Sequence, residues 1–284
     1  MFENIFKGFS FIKESFSLIM KDADVIKPSF YSIFAGAFFT ILSVIIMFLL
    51  QSGLGSGNFF YLFAFFILLG NYFIAYFFTG MTAFLVYDYF KDGDATMSEA
   101  WAATKKNAFT IFYLAIISAV VNIILGILGG RTRKDRSVTG GFSGMIIGFI
   151  EKAWTVATYF MIPAIVIEER DLKSAVERAT SIIKNNLLPI GVGEIAVGLV
   201  TGFLSVIGFV IAIVIGFSLA TVSPLIAILV AAILIVIIIA LSMYVTTAYH
   251  TCLFLWARNV EDAKAGVTGT IKPPAPIAGA LGIS

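Results

Sequence analysis

The sequence predicts an all-α membrane protein with six transmembrane helices, and three observations support this prediction. The 284-residue chain is 60% hydrophobic and only 13% charged, with a mean hydropathy of +1.00, whereas a soluble domain carries about 25% charged residues. No charged residue occurs between Pro28 and Tyr87, and apolar runs of about 18 residues or more are typical of membrane spans. These runs are continuous rather than alternating, which favours helices over a transmembrane barrel.

The apolar runs divide the chain into three regions: an N-terminal amphipathic arm (1–27), a transmembrane domain (28–256) and a C-terminal cytoplasmic tail (257–284). The predicted spans are Ser29–Leu50, Phe59–Tyr87, Ala108–Gly129, Phe142–Ile167, Leu187–Ser218 and Pro224–Trp256. The tail is rich in proline and glycine, and we expect Ile271, Ile277 and Leu281 to dock on this subunit or on a neighbouring one.

The distribution of lysine and arginine predicts the orientation of the spans. Fourteen of these residues fall in the arm, the tail and the loops on one side, and four fall on the other side, all in the loop GGRTRKDRSVTGG. Cytoplasmic loops carry the excess of positive charge, so we expect a multi-pass protein of the plasma membrane with both termini in the cytoplasm. The net charge of +2 is too small to indicate a nucleic-acid partner.

Three polar segments on the predicted cytoplasmic side resemble one another. SLIMKD (Ser17–Asp22) resembles SIIKNN (Ser181–Asn186), and TKKN (Thr104–Asn107) occupies the corresponding place in between. Each precedes a predicted helical hairpin, so the chain is interpreted as three repeats of an amphipathic helix plus a hairpin. The alternative is that three loops share the composition of a membrane edge.

The segment DLKSAVERATSIIKNN has its apolar residues on one helical face and its charged residues largely elsewhere. The apolar residues are Leu172, Ala175, Val176, Ala179, Ile182 and Ile183. We expect this helix to lie in the membrane interface, with Ala175, Ile182 and Ile183 turned inward and Lys173, Arg178 and Lys184 near lipid headgroups.

The stretch YFMIPAIVIEERDLKSAVERATSIIKNNLLPIG (Tyr159–Gly191) carries a family resemblance. Its pattern is an apolar helix with a proline (Pro163), an acidic residue (Glu168), an amphipathic helix containing Ala175 and Lys184, and a further span. This pattern resembles prokaryotic membrane families that include the membrane domain of some bacterial glycerophosphodiester phosphodiesterases. The resemblance implies a membrane module. No catalytic residue carries over, because this chain lacks the soluble catalytic barrel.

The sequence contains no group of residues with the spacing of an enzyme site. The single histidine, His250, lies in the last predicted span, and no cluster of His, Cys, Asp and Glu has metal-ligand spacing. We therefore expect neither an enzyme nor a bound metal or cofactor. His250 is interpreted as part of an interface or packing cluster with Tyr249, Thr246 and Thr247, in preference to a proton relay.

A few charged residues within the predicted spans are the candidate polar site, because a charge inside the bilayer is functional by default. Lys152 lies about 15 Å into the fourth span and Glu194 about 10 Å into the fifth, so the two side chains could pair. Glu151, Asn71 and Asn122 could join this polar layer. The alternative is that Trp154 marks Glu151 and Lys152 as residues of the outer interface.

Glycines at four-residue spacing predict where helices approach closely, since small residues allow backbones to meet in lipid. They are Gly140 just before the fourth span, Gly144 and Gly148 within it, and Gly198 and Gly202 in the fifth. We expect close packing between these two spans or between subunits.

Two functions from different classes are compatible with these patterns. The first is a non-enzymatic membrane module that self-associates, binds lipid or scaffolds a membrane partner. The second is a channel or transporter for a small cation or a proton-coupled solute that uses Glu194. Glu194 exposed to lipid would weigh against the second hypothesis.

Overall fold

The computed structural model describes residues 17–54, 58–134, 138–221 and 223–264, and every regular element in these ranges is a helix. The predicted all-α class is confirmed. A helical turn at 17–21 and a 3-10 turn (Ala23–Ile26) precede the long helices. These are α1 (Lys27–Leu54), α2 (Asn58–Asp92), α3 (Met97–Lys106), α4 (Ala108–Lys134), α5 (Val138–Val166), α6 (Leu172–Asn185), α7 (Leu187–Ala220) and α8 (Pro224–Lys264). The predicted docking residues Ile271, Ile277 and Leu281 lie outside the described residues.

Six of these helices are long and apolar enough to span a membrane: α1, α2, α4, α5, α7 and α8. This confirms the predicted six-span, multi-pass architecture. A short helical segment precedes each pair of long helices, at 17–26, at α3 and at α6. That order agrees with the predicted three units, although their origin as repeats stays a prediction. Helix α8 continues beyond the predicted span end at Trp256, as far as Lys264.

Local sequence explains where several helices begin and end. Pro224 is the first residue of α8, a position where the missing N–H costs no hydrogen bond. Gly93 follows α2 with a φ of 81° and donates its N–H to the Tyr89 carbonyl at 3.0 Å. This left-handed conformation favours glycine and closes the helix. Asp171 caps α6 by accepting from the Ser174 N–H at 3.2 Å. Hydrogen bonds from the Ser174 side chain and from its N–H lower the pKa of the Asp171 carboxyl below the usual value.

Polar contacts bring the short helices and the connecting segments to one end of the bundle, which we call the basic end. The Ala95 N–H donates to the Asp22 carboxylate at 2.9 Å, and Lys106 Nζ pairs with Glu169 Oε2 at 2.6 Å. Arg178 links α6 to Glu261 near the end of α8. Both ends of the described chain therefore lie at the basic end. Its assignment to the cytoplasm stays a prediction.

Helix α6 has the predicted amphipathic face. Ala175, Ala179 and Ile182 are buried, and Ile183 packs half-buried against the same core. Arg178 departs from the prediction, because its side chain is only 12% exposed instead of pointing away from the protein. It turns inward because two carboxylates and an aromatic ring are within its reach, as described below.

The predicted close packing of α5 on α7 is wrong. A Cβ placed on Gly144, Gly148, Gly198 or Gly202 would meet no atom within 4 Å, and the surroundings of Gly140 lie outside the described residues. Helix α7 packs instead along α8, where the side chain of Ile238 covers Gly208. The spacing of small residues permits a close approach, but the partner helix determines which glycines are used. Packing of the open glycines between subunits stays a prediction.

Candidate functional site

A cavity of about 450 Å³ lies between α5, α7 and α8, and it contains most of the charged residues that the sequence singled out. Its lining combines charged and hydroxyl-bearing side chains with two of the open glycines. The lining residues are Gly148, Glu151, Lys152, Thr155, Val156, Tyr159, Glu194, Val197, Gly198, Thr201, Thr246 and His250. Lys152 and His250 belong to candidate spans, and Glu194 lies one turn before the candidate span Val197–Ala220.

The centre of the site is a contact between Glu194 on α7 and His250 on α8. His250 Nε2 contacts Glu194 Oε1, and His250 Nδ1 lies 2.7 Å from the Thr246 carbonyl oxygen. A carbonyl oxygen can only accept, so Nδ1 carries a hydrogen and donates it. The opposite nitrogen and the carboxylate then share a single proton. The pair has no net charge whether that proton resides on Nε2 or on Oε1.

Aromatic rings hold the His250 imidazole in this position. The ring of Tyr159 stacks on it with centroids 4.4 Å apart and an interplanar angle of 10°. Phe160 and Tyr249 meet it edge-on, with centroids 5.7 and 5.2 Å away. The interpretation of His250 as part of a packing cluster is therefore confirmed for Tyr249, but it missed the bond to Glu194.

A signal for this pair was present in the sequence. The number of residues from Glu194 to Thr221 equals the number from Ser223 to His250. Thr221 and Ser223 flank the turn between α7 and α8, and equal distances from the turn of an antiparallel helical hairpin place residues at the same level. Counting the hairpin register would have placed His250 at the level of Glu194 and made it a candidate partner.

Lys152 is the second partner of Glu194. Its Nζ lies 3.8 Å from Glu194 Oε2, with the lysine side chain 65% exposed and the glutamate side chain 17% exposed. The structure thus contains the contact between Lys152 and Glu194 that the sequence allowed as one of two alternatives. At this separation the two charges attract through space without a hydrogen bond. The N–H groups of the Lys152 ammonium therefore remain available to donate to another acceptor. Glu151, one residue before, lines the same cavity. Placement of Glu151 and Lys152 at the outer interface stays a prediction.

The two asparagines do not join this cavity, so the predicted single polar layer is wrong for them. Asn71 on α2 donates to Thr40 Oγ1 on α1 at 2.9 Å and to the Ile67 carbonyl at 2.9 Å. It lines a separate groove of about 630 Å³ between α1 and α2. Asn122 on α4 is exposed and does not line the cavity. Depth alone suggested the common layer, but rotation of each helix about its axis keeps both amides out of the cavity.

A second polar cluster, at the basic end, consists of Glu168, Arg178 and Glu261, together with Arg170, which pairs with Glu168. Arg178 contacts Glu168 at 3.3 Å and also contacts Glu261, and its guanidinium lies 5.8 Å from the centroid of the Phe254 ring. Burial opposes the charge of Arg178, but the two carboxylates outweigh it and raise the pKa of the guanidinium above its usual value. This cluster ties α6 to the end of α8, below the cavity, as a structural connection.

A family model matches residues 56–269 of the chain, which include α2 to α8 and every residue that lines the cavity. The chain belongs to a family of unknown function, DUF6159. The DUF6159 match begins after α1, so the groove around Asn71 and Thr40 is only partly within the matched region. No curated protein and no solved structure matches the chain.

Proposed function

We propose that this protein is a membrane transport protein for a small cation or a proton-coupled solute, in which Glu194 exchanges the ion. The observation that supports this proposal is the contact of Glu194 with His250, the only histidine of the chain, in a polar cavity among apolar helices. Ionisable side chains in such surroundings are costly and mark ion or substrate pathways. Glu194 is largely enclosed by the protein, in contrast to a glutamate directed at lipid.

The pair has a simple way to take up and release a proton. With one shared proton the pair is neutral and hydrogen-bonded. A second proton leaves a positively charged imidazole beside a neutral carboxyl, which is a weaker acceptor than a carboxylate. Lys152, with its Nζ 3.8 Å from the second oxygen of Glu194, repels that added positive charge. Loading therefore weakens the contact between α7 and α8, and release of the proton restores it.

The experiment is a flux measurement in liposomes that contain the purified full chain, with a pH-sensitive dye inside. A pH gradient or a cation gradient should dissipate faster than in empty liposomes, and Glu194→Gln should return the rate to that of empty liposomes. Glu177→Gln is the matched control, because Glu177 is 67% exposed on α6 and pairs only loosely with Lys173 at 3.9 Å. Equal flux through the parent and Glu194→Gln, or no flux through either, would reject the proposal.

The second candidate function is a non-enzymatic membrane module that self-associates, binds lipid or scaffolds a membrane partner. The open surface at Gly144, Gly148, Gly198 and Gly202 favours it, because small residues there leave room for the helix of a second copy. The resemblance of Tyr159–Gly191 to the membrane domain of glycerophosphodiester phosphodiesterases favours it as well. In this proposal the protein lies in the plasma membrane with both termini in the cytoplasm.

The same liposome preparation separates the two candidates. A module without transport activity should give no flux, yet crosslinking at low protein density in the membrane should capture a defined homo-oligomer. A monomer without flux would contradict transport and also self-association.

A further inference from the structure

The lining of the cavity constrains the chemistry of its occupant. Three threonine hydroxyls border it, and each donates its hydrogen to a carbonyl one turn earlier on its own helix. Thr155 donates to Glu151 at 2.9 Å, Thr201 to Val197 at 2.7 Å, and Thr246 to Ser242 at 2.8 Å. A hydroxyl has one hydrogen and two lone pairs, so toward the cavity these oxygens can only accept.

The charged groups extend this pattern. Glu194 Oε1 is occupied by His250, while Oε2 faces Lys152 at a distance too long for a hydrogen bond. Oε2 and the Glu151 carboxylate therefore add acceptors to the wall. The strong hydrogen-bond donor in the cavity wall is the Lys152 ammonium, and the lysine side chain is 65% exposed. A matching ligand brings several N–H donors and one anionic group.

The balance of charge points to a ligand without net charge. The Glu194–His250 pair is neutral, and Lys152 and Glu151 carry opposite charges on neighbouring positions of α5. A lone cation or a lone anion would leave one charge uncompensated among apolar helices, which is unfavourable. A zwitterion compensates both charges at once.

From these observations we infer that the cavity binds a zwitterion that carries a primary ammonium group close to an anionic group. The anion lies at Lys152, and the ammonium donates to Glu194 Oε2 and to the threonine oxygens. This inference deepens the proposed function and rests on it, since it selects the proton-coupled solute over the lone cation and names the class of that solute. Two sources have this chemistry: a small free zwitterion such as glycine, and the headgroup of an ethanolamine phospholipid entering beside Gly148 and Gly198, which line the cavity.

Binding to the purified full chain in phosphatidylcholine nanodiscs tests the inference with two pairs of probes. Glycine is compared with its N-trimethyl analogue betaine, and glycerophosphoethanolamine with glycerophosphocholine. We expect at least one primary ammonium compound to bind about tenfold more tightly than its trimethyl analogue, because the analogue cannot donate hydrogen bonds to charged or neutral acceptors. Preference for glycine indicates a free solute, and preference for glycerophosphoethanolamine indicates a lipid headgroup.

Two substitutions with matched controls locate the binding. Lys152→Met should remove the anion contact and weaken binding about tenfold, whereas Lys173→Met, at a side chain that is 85% exposed on α6, should leave it unchanged. Thr201→Val should weaken binding, whereas Thr180→Val should not, although Thr180 makes the same bond to its own helix at 2.7 Å. Thermal unfolding of each variant confirms that it is folded.

Each outcome has a distinct meaning. Equal affinity for the ammonium and trimethyl members of both pairs, or no binding of either, overturns the zwitterion site. Flux that depends on Glu194 without zwitterion binding overturns this inference alone and leaves the proposed transport function standing. Binding that depends on Lys152 and Thr201 without any flux supports the site and contradicts transport.

Discussion

Glu194 and His250 face each other across the α7–α8 hairpin, at equal distances along the chain from the residues that flank its turn. The contact joins two otherwise apolar helices at one level and places a shared proton beside a cavity. Because Nδ1 of His250 is committed to the Thr246 carbonyl, the imidazole has one nitrogen left for the carboxylate. The hydrogen bond between Glu194 and His250 therefore offsets the cost of burying both polar side chains.

The first prediction concerns this dependence. His250→Phe leaves Glu194 enclosed without its hydrogen bond and should lower the free energy of unfolding by about 3 kcal/mol, the range for breaking a buried pair. Glu194→Gln in the same chain should recover a large part of the loss, because the remaining amide carries no charge. A double-mutant cycle by denaturant unfolding in detergent measures the coupling, and additive effects of the two substitutions would contradict the pairing.

The second prediction uses two glycines on the same helix. Gly208→Ala places a Cβ about 2.6 Å from Ile238 Cγ1, and it should destabilise the protein by about 1–3 kcal/mol through overpacking. Gly202→Ala has open space around it and should be neutral or stabilise α7 by up to about 1 kcal/mol. Thermal unfolding of both variants provides the comparison. A destabilising Gly202→Ala that also disperses an oligomer would instead show that a second copy packs on this surface.

The third prediction concerns the polar cluster at the basic end. Arg178→Met keeps much of the side-chain volume but leaves Glu261 without its cation and Glu168 with Arg170 alone. The free energy of unfolding should therefore fall by about 1.5–3 kcal/mol, the range for hydrogen bonds to charged groups. Lys184→Met, at an exposed residue of the same helix, should change it by less than about 0.5 kcal/mol. Similar losses for both variants would show that the cluster contributes no specific stability.

The fourth prediction concerns orientation. A cysteine at Ser56, in the uncharged segment that the sequence predicts on the outer side, should react with an impermeant maleimide added outside intact cells. A cysteine at Lys173, 85% exposed on α6, should react only after the cells are opened, because the basic end is predicted to be cytoplasmic. The native Cys252 is buried and should not contribute to the labelling. External labelling at Lys173 would reverse the predicted topology.

Sequence alone was sufficient for the features that depend on local physics. A chain in lipid must satisfy its backbone polar groups within each segment, so the length and continuity of the apolar runs predicted six helical spans. The face of α6 could also be predicted, because Ala175, Ala179 and Ile182 recur at helical spacing among charged residues. Depth counted along the helices was enough to bring Lys152 near Glu194.

The choice of partners required the tertiary structure. Helices such as α1, α2 and α7 are apolar on all sides. Their sequences therefore do not indicate which side of each helix packs against a neighbouring helix. Rotation about the helix axis then decides that Asn71 bonds to Thr40, away from Glu194, and that Gly208, unlike Gly202, is covered by a neighbouring side chain. Close packing of all helices at once sets those rotations. The register of the α7–α8 hairpin places Glu194 and His250 at one level, but only the packed helices show that their side chains meet.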